Sequence, residues 1–292
     1  MKPFNGKNRI YTGSRIRGKY SQFATTGGVY DPNDILVAQE SGLWRSPTGP
    51  VSGSTLYLDA GDYQSYPGTG TTWYDLSGNG YNGTMTNLSY NTDYGGYLYF
   101  DGTSGYCTTP YADLVDLGAN WTIFVFAKIQ SAGGNHPFFS SYNVYNGSSI
   151  WGIYFLSSSA FYSNQLILNT GSAAWQNNII GSSTKSTSAV WKSYAVVGTN
   201  FLTNQAYTFY YDGNNSSGSA WVLNSGVRGY WYTNQNDSIN SCGIGRVYPA
   251  STPGYDTTKA HMDLGAILIY RSALTGVQIQ QNHDYFKARY GL

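Results

Sequence analysis

Residues 261–292 read HMDLGAILIYRSALTGVQIQQNHDYFKARYGL, and the two halves of that run decide the fold. In the first half Met262, Leu264, Ala266, Leu268 and Tyr270 alternate with Ile267 and Ile269, and from Leu264 onward both faces are apolar. A strand with two apolar faces belongs in the middle of a layered protein, covered on both sides. Strict alternation puts the first five residues on one face and the two isoleucines on the other. In the second half Thr275 and Gln278 have the spacing of a capping box, and Leu274 and Ile279 that of a hydrophobic staple. Ile279, Phe286 and Tyr290 lie along one helical stripe, and Gly291 is a natural C′ residue. The spacing predicts a short amphipathic helix on the sandwich, with His283 on its solvated side.

The rest of the chain must supply the sheets around that strand. Its 292 residues suffice for one large β domain with an appendage, or for two small domains. Charged residues are only 11%, against 36 Gly, 29 Tyr and 17% aromatics. A surface kept polar by Asn, Ser, Thr, Gly and Tyr fits an extracellular or particle-bound β protein. The net charge of +1 gives no general attraction to nucleic acid. No 18-residue apolar stretch could insert in a membrane, and no N-terminal apolar run resembles a signal peptide. That combination fits a protein that leaves the cell inside an assembly. Cys107 and Cys242 do not make a disulfide scaffold; they could pair across strands or remain two separate thiols.

In chain order, residues 1–50 differ from the remainder. Lys2, Lys7, Arg9, Arg15, Arg17 and Lys19 supply six of the 16 basic residues, with no acid among the first twenty. RSPTGPVSGS (45–54) reads as a linker. Residues 1–50 are either a disordered basic tail or an extended arm that orders on a partner surface. STLYLDA (54–60) starts the globular domain, 51–292. The Gly- and Asn-dense segment after it reads as a shaped loop. GGYLYFDGTSGYCTTP (95–110) reads as two strands with Leu98 and Phe100 on one face. NWTIFVFAKI (120–129) sets Trp121, Ile123, Val125 and Ala127 against Phe124 and Phe126, a second central strand. WGIYFLS (151–157), NQLILNT (164–170), WKSYAVVGT (191–199), AYTFYYDGN (206–214) and SINSCGIGR (238–246) continue the pattern. The expectation is all-β: a jelly-roll sandwich of two antiparallel sheets with a short C-terminal helix.

WYDLSGNGYNGT (73–84), GGYLYFDGTSGY (95–106), NWTIFVFAKI (120–129), TFYYDGN (208–214), GIGR (243–246) and MDLGAILIYRSALTGVQIQQNHDYFKARYG (262–291) occur in that order. The set resembles the laminin-G-like branch of the concanavalin A-like lectin and glucanase superfamily, as found in tailed-phage structural proteins. The resemblance covers the chain from about residue 54 onward. It implies the same jelly-roll, but no single activity, because the fold hosts lectins, glycosidases, adhesins and structural modules.

Glycosidases of that superfamily use paired carboxylates, normally Glu. Glu40 is the chain's one Glu and precedes the resembling region; the twelve later acids are all Asp, mostly in turns such as Asp101-Gly102 and Asp212-Gly213. His136, His261 and His283 lie near no nucleophile motif. No catalytic set and no zinc spacing is read, and the chain is expected not to be an enzyme. Calcium is compatible with the resemblance, with Asp75, Asn79 and Asn82 as candidate ligands, although Asx residues in such loops also simply make turns. No cofactor and no metal residue is assigned.

Sugar recognition stacks a ring face on Trp or Tyr and adds amide or acid hydrogen bonds. Tyr230, Trp231 and Tyr232, followed by Asn234, form the candidate carbohydrate-binding patch, and Trp175 offers a second aromatic; the alternative is that these rings pack in the core. The reading is therefore a structural protein on the virion surface of a tailed bacteriophage. It would be a capsid decoration or head fibre, or a tail-fibre or collar component, docked to other virion proteins through residues 1–50 and able to bind polysaccharide weakly. The alternatives are a bacterial carbohydrate-binding adhesin and, third, a glycan-degrading enzyme.

Overall fold

The computed structural model describes residues 49–110, 120–130, 135–143, 149–156, 165–169, 178–180, 189–199, 206–215, 221–222, 241–246 and 259–292. Nearly the whole of the expected arm, residues 1–48, lies outside them. The strands are β1 (Leu56–Asp59), β2 (Thr72–Trp73), β3 (Gly83–Thr86), β4 (Ser89–Asn91), β5 (Tyr97–Asp101), β6 (Tyr106–Pro110), β7 (Trp121–Ile129), β8 (Asn135–Asn143) and β9 (Ser149–Leu156). They continue with β10 (Gln165–Asn169), β11 (Asn178–Ile180), β12 (Trp191–Thr199), β13 (Ala206–Tyr211), β14 (Asn214–Asn215), β15 (Trp221–Val222), β16 (Ser241–Ile244) and β17 (His261–Tyr270), before helix α1 (Gly276–Arg289).

These strands form two antiparallel sheets. One is eight-stranded, ordered β14-β13-β12-β7-β17-β5-β4, with β1 also pairing with β17. The other is nine-stranded, ordered β15-β11-β10-β9-β8-β16-β6-β3-β2. The expected all-β sandwich with one C-terminal helix is the fold. As the opening stretch requires, β17 and β7 are central neighbours in the first sheet.

The alternation along β17 differs from the strict reading. Met262 and Leu264 share the inner core with Ile267 and Ile269, whereas Ala266, Leu268 and Tyr270 face the other way. The cause is a β-bulge: the register to β7 shifts between Leu264 and Ala266. One extra residue reverses the parity of everything beyond it. The bulge falls where β17 changes partner, β5 pairing with His261–Leu264 and β1 with Ala266–Ile269. Gly265 is needed there, because a Cβ would run into the Tyr290 hydroxyl.

The inner core between the sheets joins Leu56, Leu58, Trp73, Phe100, Trp121, Ile123, Val125, Phe138 and Phe139 to the inner side of β17. The opposite face of the eight-stranded sheet is covered by α1. There Phe124, Phe126, Trp191, Leu268 and Tyr270 meet Leu274, Ile279, Phe286 and Tyr290. Thr275 and Gln278 form the expected capping box, and both staple residues are buried. The helix also ties down the start of the domain. Asn282 Oδ1 accepts from Val51 N at 2.7 Å, its amide donates to the Tyr270 hydroxyl at 3.1 Å, and that hydroxyl donates to the Val51 carbonyl at 3.0 Å.

Two further readings change. His283 is not solvated: it is 6% exposed, and its Nδ1 lies 2.9 Å from the Ser193 hydroxyl. The helix lies deep enough on the sheet to bury a flank that includes polar Asn282 and His283. The segment after β1 is not a plain loop, since it contains β2, β3 and β4. Cys107 and Cys242 are both free and buried. Across the β6–β16 pair Cys242 opposes Thr109 and Cys107 opposes Ile244, so the sulfurs are diagonal neighbours rather than partners. Burial pushes both thiols well above their ordinary range, which keeps them protonated and inert.

Candidate functional site

Lys128 and Asp263 are lone charged residues in two otherwise apolar central strands. The sheet registers bring them together. Tyr99 of β5 opposes Asp263 of β17, Asp263 opposes Lys128 of β7, and Lys128 opposes Trp191 of β12. Directly opposed residues share a face, so these four side chains make one rung across the helix-covered side of the sheet. Lys128 Nζ sits 2.6 Å from Asp263 Oδ2, and the Gln130 amide donates to the same oxygen at 2.6 Å. Two residues along β17, the His261 Nε2 atom is 3.1 Å from the Tyr99 hydroxyl.

Aromatic rings wall the lysine end. Lys128 Nζ is 5.6 Å from the ring centroids of Tyr94, Tyr97 and Trp191. Trp191 is held from behind, stacked on Phe126 at 5.6 Å and against Tyr290 at 4.5 Å. Tyr94 comes from a single 3-10 turn, Asp93–Gly95, and is 47% exposed. Its backbone is left-handed, with φ 54° and ψ 19°. That conformation is rare for a bulky residue and costs about 1–3 kcal/mol. The turn is fastened at the far side, where the Tyr290 hydroxyl donates to the Gly96 carbonyl at 2.7 Å.

Two polar atoms of the rung have no hydrogen-bond partner. Asp263 is 1% exposed and its Oδ1 is unpaired, as is the buried Trp191 Nε1. Leaving such an atom unsatisfied costs roughly 1–3 kcal/mol. The rung therefore combines a spare acceptor, a spare donor and an aromatic wall. Its signal in the sequence was the isolated charge in each of two apolar strands; four strands had to be aligned to turn that signal into a site.

Other polar clusters have structural work. The Asp59 carboxylate, fully buried in β1, forms an ion pair with Arg289 at the end of α1 and accepts the Tyr57 hydroxyl at 3.0 Å. Burial by itself would lower the Arg289 pKa, but Asp59 outweighs it and holds the guanidinium charged. The Ser193 hydroxyl, beside His283, also accepts from Gly213 N at 3.2 Å, joining helix, β12 and the β13–β14 turn. Ser193 is buried beneath the helix, so this serine–histidine contact serves as a lock. Burial lowers the His283 pKa from its ordinary value and favours neutral imidazole.

The calcium candidates shape a turn. Asp75 accepts from Tyr57 N and Ser77 N through Oδ1, and from the Ser77 hydroxyl and Tyr81 N through Oδ2. Asn82 Oδ1 accepts from Asp75 N, and the Asn79 amide donates to the Thr55 carbonyl. Asp101 acts alike: burial alone would raise its pKa, but hydrogen bonds from Gly105, Ser104 and Thr103 hold it far below the usual carboxylate range. Among the described residues no three His, Cys, Asp or Glu side chains gather as a metal site. The candidate sugar-binding residues Tyr230, Trp231, Tyr232, Asn234 and Trp175 lie outside the described residues.

No protein-family profile matches the chain, and no curated protein matches its sequence. Solved structures do match its fold. A mutant of Trypanosoma rangeli sialidase displaying trans-sialidase activity aligns with TM-score 0.55 and 14% identity, over 94% of this chain and 38% of that one. The same sialidase in complex with sialic acid aligns with TM-score 0.54 and 14% identity, over 86% of this chain and 38% of that one. The binding domain of botulinum neurotoxin DC in complex with rat synaptotagmin II aligns with TM-score 0.53 and 13% identity, over 80% of this chain and 52% of that one. The chain thus spans about two fifths to one half of the proteins it matches. What it shares with them is the β-sandwich fold.

These matches overturn the expectation that the chain is not an enzyme. That exclusion rested on the lack of a Glu pair, of a nucleophile motif near the histidines and of a zinc spacing, all of them local sequence patterns. The chain's fold occurs in glycan-active proteins, so composition does not remove it from that class.

Proposed function

We propose that this chain is a glycan-recognising β-sandwich carried on the surface of a tailed-phage virion, as a head decoration or head fibre or as a tail-fibre or collar component. The carrying observation is the lectin-like sandwich itself. It aligns over most of this chain with a sialidase solved with sialic acid and with a neurotoxin binding domain solved with rat synaptotagmin II. The charge-poor surface composition and the six ordered stretches that resemble phage structural proteins support the virion setting. Other virion proteins would hold residues 1–50, and polysaccharide would meet the sandwich. A single weak sugar site, about 1 mM or roughly −4 kcal/mol, becomes useful when many copies act together.

Two measurements test this. Mass spectrometry of purified particles finds the full chain in the virion, whereas a chain beginning at residue 51 folds alone, stays monomeric and is left out. Normal incorporation of the shortened chain would refute the docking role. A glycan array probed with the multimerised full chain gives reproducible signal on a subset of glycans. A blank array with well-folded protein would refute glycan recognition, and release of sugar from the array would move the chain to the glycan-active side of its fold.

A further inference from the structure

We infer that the rung formed by Tyr99, Asp263, Lys128 and Trp191, under the Tyr94 turn, is a binding site for one neutral sugar ring. The inference rests on the glycan-recognition reading and places it on the helix-covered face of the eight-stranded sheet.

The ligand class follows from what each group still has to offer. The aromatic wall of Tyr94, Tyr97 and Trp191 already surrounds a cation, the chain's own Lys128 ammonium, so a cationic ligand would displace it and strip Asp263 of its ion partner. An anionic ligand would compete with Asp263 for Lys128 while lying beside a buried carboxylate. A neutral polyhydroxyl ring does neither. One hydroxyl can donate to Asp263 Oδ1 and another oxygen can accept from Trp191 Nε1, the two atoms left without partners. The C–H face of the ring can lie on Tyr94, as sugars do on aromatic side chains.

Access is built into the same place. Asp263 and Trp191 are buried, and the exposed ring over the lysine end is Tyr94. Its left-handed backbone is followed by Gly95 and Gly96, both at positive φ. The Gly96 carbonyl stays held by the Tyr290 hydroxyl, so the turn keeps its place beside β5 while the exposed Tyr94 side chain turns about its own torsions. The Tyr94 ring would swing aside to admit the sugar and then close on its C–H face.

The test is proton–nitrogen NMR of the full chain, with the Trp191 indole N–H assigned through its contacts with the Phe126 and Tyr290 rings. The probes are methyl α-D-glucoside, methyl α-D-mannoside and methyl β-D-galactoside, each to about 100 mM, with gluconate as the anionic control. The Trp191 indole is expected to shift saturably with at least one neutral glycoside, half-saturating near millimolar concentration, and not with gluconate. Tyr94→Gly, which relieves the strain and removes the stacking face, should weaken that affinity at least tenfold. An unmoved Trp191 indole, a response to gluconate alone, or equal affinity in Tyr94→Gly overturns the site. If other indoles or amides shift while Trp191 stays still, glycan recognition survives elsewhere on the chain and only this site falls. If nothing shifts and the array is blank, both fall.

Discussion

The two faces of the eight-stranded sheet are built from the same strands and behave differently. The inner face carries Leu98, Phe100, Ile123, Val125, Met262, Leu264, Ile267 and Ile269, all packed into one apolar cluster. Such packing is non-directional and asks only for the right volume. The outer face mixes rings with directed polar contacts: Asp59 with Arg289, Ser193 with His283, Asn282 with Val51 and Tyr270, Lys128 with Asp263. The first three fix the position of one helix on a sheet that any apolar helix could cover, and the last ties β7 to β17 within the sheet. They also leave two polar atoms unused. The inner face makes the sandwich, and the outer face makes it specific.

Arg289→Met strands the buried Asp59 carboxylate and should cost about 3–5 kcal/mol in urea unfolding. Asp59→Asn in the same chain should recover part of that loss, because no buried charge then remains. Phe286→Ala should cost roughly 3 kcal/mol, since its ring stacks between Phe124 and Phe126. A loss below about 0.5 kcal/mol would make the helix a solvent-exposed appendage. On the inner face Ile267→Val removes one methyl and should cost about 1 kcal/mol.

A smaller effect is set by pH. His283 binds its proton less readily folded than unfolded, where its value is 6.5. Between the lowered folded value and 6.5 the unfolded chain therefore holds more protons, and stability rises with pH. The stability present above 6.5 should fall as pH drops through that window and level off below the folded value. His283→Gln should flatten this part of the profile; an unchanged slope would remove His283 as its source. Smallest is Tyr94→Gly, where lost ring contacts offset relieved strain, so stability should stay within about 1 kcal/mol of the parent.

Much of this was legible in residue order. The apolar runs of β7 and β17, the capping box at Thr275 and the stripe Ile279–Phe286–Tyr290 are local patterns, and local patterns survive folding. What was lost had non-local causes. Gly265 marked the bulge, but only its contact with Tyr290 and the change of partner from β5 to β1 explain why the parity must reverse there. Strand β8 was hidden by Pro137, which the sheet tolerates because the register shifts between Pro137 and Phe139. His283 was misplaced because its burial depends on how closely the helix approaches Ser193. The rung could not be read from any one stretch, since its four members come from β5, β17, β7 and β12.

The division of labour between the two faces is tested by a binding isotherm on the best-scoring glycan, comparing the parent with Tyr94→Gly from the outer face and Ile267→Val from the inner. Tyr94→Gly is expected to lose at least tenfold in affinity at nearly unchanged stability, while Ile267→Val loses stability and keeps its affinity. Equal affinity for Tyr94→Gly and the parent, or an equal loss for both variants, would contradict it.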